Sequence, residues 1–475
     1  MNYIQGTARE QVLLFPEAID EFIAQENPVR FIDEFVNSLE LAEMGFTSTV
    51  LSSTGRPPYN PSDLLKLYLY GYLHKTRSSR KLEEETHRNL EVLWLLKKLT
   101  PDHKTIANFR RNNTSSLKSV CREFTALCHK EDLFGGDLIA IDGSKFRAAN
   151  SKDRNFSREK LRKYIQRIDD KVDAYLKQLD EEDEKEKDIK TPTAEELKQK
   201  IETIKKRKRL YQSYQRTLEK ENLPQMSLTD PDSRSMPTGG VGTDVCFNVQ
   251  TAVDSKHHLI VHHDVVNEVT DVNQLAKMAI EAKAALGVQT LKVVADRGYY
   301  DGGEVKTCED NHIHVYMNKP ETSANKKRGL FEKNDFRYDP RKDAYRCPAG
   351  ETLKYRSTCN EGGRLTRYYV TSTCRRCHLR PQCTRGMDRR ITRWEHESVL
   401  DRMKIRIRKH PEVLELRKQI VEHPFGTLKR WMDHGYFLMR GLRNVRAEFS
   451  LSVLAYNMKR AIKVLGTQKM IRALA

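Results

Sequence analysis

The sequence predicts a mixed α/β protein with a helical front part and a helical arm inserted into its core. Three observations predict it. Short β-branched runs alternate with helix-patterned stretches between residues 137 and 318. Two heptad-spaced runs interrupt that alternation after its first strand. Residues 1 to 130 carry helix spacings and cap residues.

The 475 residues are enough for a large core and two or three domains. The 84 Lys+Arg against 66 Asp+Glu leave a net charge of +18. Such a surplus fits a polyanionic partner or a generic basic protein about equally well. No apolar run approaches the roughly 18 residues of a spanning helix, and "MNYIQGTAREQ" lacks a signal-peptide core. A cytoplasmic chain without membrane association is expected, its nine cysteines reduced and available as thiols or metal ligands.

In the front part, "NPSDLLKLYLYGYLHKT" offers Ser62 or Asp63 as a helix cap ahead of Leu64, Leu65, Leu67, Leu69 and Tyr72. "RSSRKLEEETHRNLEVLWLLKKL" reads as a serine-capped amphipathic helix. "TPDHKTIANFRRNN" puts Pro101 at a helix start and Arg110 and Arg111 near its end. Short helices ending in a basic one fit a helix-turn-helix-like DNA-binding module over residues 1–130. A plain helical bundle fits as well.

Leu161, Ile165, Ile168, Val172, Tyr175 and Leu179 form a 4-3-4-3-4 seam. After an acidic stretch the seam resumes at Leu197, Ile201, Ile204, Tyr211 and Leu218, broken by Lys208. The two runs predict an antiparallel coiled-coil hairpin within residues 153–222, roughly 50 Å long, as an arm or dimer contact. Strands are expected at "DLIAID" before the arm and at "VCFNVQTAV", "LIVHHDVV", "LKVVAD" and "HVYMN" after it. A helix, "DVNQLAKMAIEAKAALG", lies between the third and fourth strands. The C-terminal part is expected to be largely helical.

Two of these strands end alike. Asp142 in "LIAIDGSKF" and Asp296 in "LKVVADRGYYD" each follow an apolar run and precede a nearby glycine. Alone, each reads as a turn. On neighbouring strands the pair would supply the oxygen ligands that Mg²⁺ prefers. The third element is "ELRKQIVEHPFGTLKRW". Glu415, Lys418, Glu422, Phe425 and Lys429 share one face of a continuous helix, and Pro424 would kink it. An acid flanked by lysines suits metal and phosphate together; an ordinary exposed Glu-Lys face looks the same.

In combination, "AIDGS", "VADRGYYD" and "VEHPFGTLKRW" resemble the DDE transposases of bacterial insertion sequences. The stretch from "YNPSDLLKLYLYGYLHKT" to "ANFRRNN" resembles the helical domain ahead of their catalytic core, and "FNVQTAVDSKHHLIV" matches strands after the arm. The resemblance implies an RNase H-like core over residues 131–475 whose first and fourth strands are adjacent. It implies Asp142, Asp296 and Glu422 as catalytic acids binding Mg²⁺ (or Mn²⁺). Glu395, Glu397, Glu412 and Glu415 lie in the same region, but Glu422 alone sits in "VEHPFGTLK". The implied partner is double-stranded DNA, element ends and target, bound by a homodimer near the nucleoid. Lys418, Lys429, Arg110 and Arg111 are the expected DNA contacts. Lys429 holds the position after the glutamate that the family fills with Lys, whereas Lys418 stands for an Arg and Glu415 for a Tyr.

Cys347 in "YRCPAG" and Cys374, Cys377 and Cys383 in "STCRRCHLRPQC" predict a zinc-ribbon-like insert at 320–395. His378 or Cys359 could replace one ligand, and free buried thiols are the alternative. The His pairs in "KHHLIVHHDVV" read as strand residues rather than a metal site. The function expected is cutting and joining of element ends. The rivals are a nuclease on the same fold, a non-catalytic transposase-derived DNA-binding protein and a structural coiled coil.

Overall fold

The computed structural model describes residues 18–47, 57–183, 194–239, 242–320 and 325–475. It is a mixed α/β protein. The front part holds α1 (Pro28–Asn37), α2 (Pro61–Leu73), α3 (Ser79–Arg88), α4 (Leu90–Leu95), α5 (His103–Asn112) and α6 (Thr114–Lys130). Side-chain caps set several starts, and they differ from the sequence expectation. Asn60, not Ser62 or Asp63, caps α2 by accepting from the Ser62 N–H, with Pro61 in the first turn. Asn89 leaves the helical region and accepts from the Glu91 and Val92 N–H groups, so the stretch expected as one helix is two. Asp102 caps α5, just after Pro101.

The core follows: β1 (Leu138–Arg147), β2 (Asn155–Ser157), the arm helices α7 (Arg158–Asp183) and α8 (Ala194–Lys220), β3 (Gln225–Ser227), β4 (Arg234–Pro237), β5 (Thr243–Asp254), β6 (Ile260–Val266), α9 (Leu275–Leu286), β7 (Leu291–Ala295), α10 (Gly302–Asp310) and β8 (Ile313–Tyr316). The sheet order is β4-β5-β1-β7-β8, with β6 also on β5. β1 runs antiparallel to β5 and parallel to β7, and β7 runs parallel to β8. Apolar runs at β1 and β7 are buried as parallel neighbours should be. Gly287, at φ 65°, ends α9 where a side chain would be strained.

The arm leaves and re-enters through the antiparallel pair β2–β3. Leu161, Ile168, Leu197, Ile201 and Leu218 are buried between its helices, and Phe156, Tyr164, Tyr211 and Tyr214 cluster at its base. The seam break at Lys208 is satisfied by an ion pair with Asp169 on the facing helix.

Residues 337–394, within the insert expected at 320–395, form a sheet that the sequence spacing did not predict. It is a five-stranded sheet of order β13-β12-β11-β10-β9: β9 (Arg337–Asp339), β10 (Ala344–Arg346), β11 (Thr352–Glu361), β12 (Arg364–Val370) and β13 (Ile391–Trp394). The short α11 (Arg380–Cys383) precedes β13. Then come α12 (Glu397–Lys409), α13 (Glu412–Gly426), a π-helical turn (Thr427–Trp431), α14 (Leu442–Leu465) and α15 (Thr467–Arg472).

One apolar core runs from α1 through the main sheet to α15. α14 is its hub, lying against α2, α6 and β6. A buried ion pair reinforces the joint: Arg77 Nη1 stands 3.5 Å from Glu448 Oε1, and Arg77 also donates to the Tyr436 and Asp433 carbonyls. The front helices are therefore packed into the α/β core rather than free of it.

Candidate active site

Asp142 and Asp296 meet because of strand register. Ile141 is opposite Ala295 in the parallel β1–β7 pair, so the two aspartates occupy the next position on adjacent strands. Asp142 Oδ1 accepts from the Gly143 N–H at 3.0 Å, and Asp296 Oδ1 accepts from the Arg297 N–H at 2.7 Å. Burial pushes the Asp142 carboxyl up to about 6; Arg417 and the Gly143 N–H oppose the rise, and the charges of Asp271 and Asp296 add to it. Asp296 is exposed.

Helix α13 packs on β1 and β7 through Ile420, Val421 and Pro424. Its residue at Asp142 is Arg417, with Nη1 3.4 Å from Asp142 Oδ2. Glu422 lies five residues on, about 140° further round an α-helix, and is exposed with neither a hydrogen bond nor an ion pair among the described residues. The structure thus brings Asp142 and Asp296 together and does not join Glu422 to them. Lys418 and Glu415 are exposed too. Lys429 does not share their face as the sequence spacing predicted. The π-helical turn widens the helix there, and Lys429 is half-buried, donating to Ser144 Oγ at 2.7 Å and to the Lys145 carbonyl at 2.8 Å. It reaches the strand of Asp142 three residues past the carboxylate.

Two residues at the site were missed in the sequence. Arg417 was passed over for its neighbour Lys418, and only the helix azimuth separates them. Asp271 looked like the start of the α9 helix. Instead its Oδ1 accepts from Asn248 Nδ2 at 2.7 Å and Gln250 Nε2 at 2.8 Å and lies 3.4 Å from Lys145 Nζ. Tyr299 in turn donates to Gln250 Oε1.

The remaining candidates separate clearly. Arg110, expected on the DNA surface, is 7% exposed. It bonds the Tyr72 hydroxyl and the Arg77 carbonyl and lies over the Tyr68 ring, so its charge serves packing. Arg111 is exposed and donates to Asn108. Cys347, Cys374, Cys377 and Cys383 line one cavity, and burial together with the neighbouring thiols pushes the Cys383 thiol up. Cys359 and His378 are exposed and not part of its lining. His263 is half-buried with its Nε2 2.9 Å from Ser450 Oγ, and desolvation pushes its imidazole down to about 3. Among the described residues no three His, Cys, Asp or Glu side chains are gathered closely enough to hold a metal ion as they stand. None of the described helices is long and apolar enough to cross a membrane.

Residues 17–112 match the family model of a transposase domain (DUF772), and residues 346–462 match that of a transposase DDE domain. The second match includes Glu422, Lys429 and the four cysteines; Asp142 and Asp296 lie outside both. No curated protein matches the chain. Among solved structures it is similar to a piggyBac transposase in a synaptic complex with hairpin DNA, at 11% identity. That match covers 94% of this chain and 79% of the other with a TM-score of 0.30, too slight to bear on function.

Proposed function

With a transposase domain and a transposase DDE domain in one chain, this protein is a DNA transposase of the DDE type, and we propose that it cuts the ends of its own insertion element and joins them to target DNA. The observation that carries this reading is the register of β1 and β7, which sets Asp142 beside Asp296. An RNase H-like core is the reading that the strand order supports, with β1 between an antiparallel and a parallel neighbour. In it, residues 1–130 bind DNA and residues 131–475 carry the chemistry, with the arm at 153–222 and the Cys-rich insert at 320–395.

DDE transposases generally use divalent metal ions. The carboxylates present fit one: they are hard oxygen donors, Asp142 is crowded by negative charge, and a guanidinium is its present counter-ion. Asp142 and Asp296 would hold Mg²⁺ or Mn²⁺, and Glu422 would complete the set. Bound by these carboxylates, such an ion would supply the positive charge that activates water and stabilises a leaving 3′ oxygen. The chain itself orients the DNA. Arg417 and Lys429 stand where a phosphate would approach Asp142, and Arg111 and Lys418 are exposed where they could reach the duplex backbone. Two ends must be joined, so a homodimer on DNA is part of the proposal.

The four clustered cysteines are read as a structural Zn²⁺ site. They are soft donors, none is in a disulfide, and the sheet beside them has a buried core of only five residues. As they stand the thiols line the cavity without closing a shell, so binding would draw them inwards.

A strand-transfer assay separates this function from a nuclease on the same fold. Pre-cut element ends with free 3′-OH groups should become covalently joined to a target plasmid in Mg²⁺. Hydrolysis without joined product would favour the nuclease.

A further inference from the structure

Resting on the reading of Asp142 and Asp296 as cation-binding acids, we propose that Asp271 is a positioning residue of the same pocket, a carboxylate that orients the cation's water shell beside Asp142. The residue comes from the connection between β6 and α9, far in sequence from the other acids. Its placement depends on Gly143, the residue after Asp142. A Cβ at Gly143 would fall 2.7 Å from Asp271 Oδ1, 2.5 Å from Gln250 Nε2 and 3.0 Å from the Tyr299 hydroxyl. Glycine is therefore what lets this carboxylate come up to the backbone of the catalytic strand.

The carboxylate is also held still. Asn248 and Gln250 are fully buried on β5, and both direct their amide donors at Asp271 Oδ1. Gln250 Nε2 also donates to Asn248 Oδ1 at 3.0 Å. Burying two amides is costly unless their bonds are met, and here Asp271 Oδ1 takes one bond from each, with the Glu268 carbonyl and the Tyr299 hydroxyl meeting others. Among the described residues Oδ2 has no partner. Among them, too, no three acids are close enough to grip an ion directly as they stand, so Asp271 acts through water and charge. Mg²⁺ commonly retains several waters, and an outer carboxylate can hold one of them. The competing role is to anchor Lys145, the one cation paired with Asp271 among the described residues.

Mn²⁺ titration of the DNA-free, full-length protein, followed by the paramagnetic resonance of free Mn²⁺, separates these roles. Asp271→Asn keeps the Oδ1 acceptor and removes the charge; affinity should fall about tenfold, the order of a screened carboxylate–cation interaction. Lys145→Met should bind as tightly as the unaltered protein or more tightly. The double variant, which leaves no unpaired ammonium in the pocket, should bind as weakly as Asp271→Asn. Unchanged affinity in Asp271→Asn overturns the proposal, as does a loss in Lys145→Met equal to that in Asp271→Asn. Asp142→Asn should abolish binding; if it does not, the underlying reading of the site fails instead.

Discussion

Arg417 Nη1 lies 3.4 Å from Asp142 Oδ2, so the α13 side chain facing the first aspartate is a cation and not Glu422. The guanidinium supplies the positive charge that a divalent ion would bring, and the two compete for one carboxylate. Arg417→Met should therefore tighten Mn²⁺ binding several-fold in the absence of DNA while weakening binding to element ends. Equal Mn²⁺ affinity in the variant and the parent protein, measured by the same titration, would mean that the ion pair is not a competitor.

The proton at Asp142 competes as well. With its carboxyl pushed up to about 6, the site is mostly ionised above pH 7. Mn²⁺ affinity should be flat there and fall as pH drops through 6, approaching about tenfold per unit for one displaced proton. The same shift acts on stability with a definite sign. The folded form binds the proton more tightly than the unfolded chain, so this group's contribution declines as pH rises from the ordinary carboxylate range through 6. Calorimetry of metal-free Asp142→Asn should lack that contribution.

DNA binding by the full chain should depend steeply on salt. Each phosphate contact contributes a log-log slope of about −0.9 on duplex DNA. Arg111→Ala and Lys418→Ala should each reduce the slope by roughly one, whereas Arg110→Met should lower the melting temperature through lost packing and hydrogen bonds. A reduced salt slope with unchanged melting in Arg110→Met would reverse that assignment.

Native mass spectrometry should find one zinc per chain. Cys374→Ser should lose it, and Cys359→Ser, at an exposed site outside the cavity, should keep it. Chelation should make residues 337–394 protease-sensitive, since their own core is small. A metal-free chain with that sheet fully resistant would leave the cysteines as ordinary thiols.

Much of the main sheet was legible because most of its strands carry buried apolar runs. The heptads of the arm were equally plain. The sheet at 337–394 was not, because β11 is exposed along nearly its whole length and shows no alternation to read. Asp142 and Asp296 stood out as acids after apolar runs, and their register follows from parallel pairing; only Asp296 ends its strand, because β1 continues past Asp142 to Arg147. Arg417 and Asp271 did not, since azimuth and loop path decide what they touch. Arg110 misled because a basic pair at a helix end looks like a surface, whereas only Arg111 is exposed. Lys429 escaped its predicted face through a π-helical turn that spacing alone does not reveal.

The most direct test of the catalytic assignment is the rate of Mg²⁺-dependent cleavage at an element end. Asp142→Asn, Asp296→Asn and Glu422→Gln should each abolish cleavage while leaving DNA binding nearly intact, and combining them should add little, because the three acids act as a unit. Glu415→Gln, exposed on the same helix, should cut normally. Glu422→Gln cutting at the full rate while both aspartate variants fail would leave the two strand acids without the helix residue. Full-rate cleavage by either aspartate variant would contradict the account at its centre.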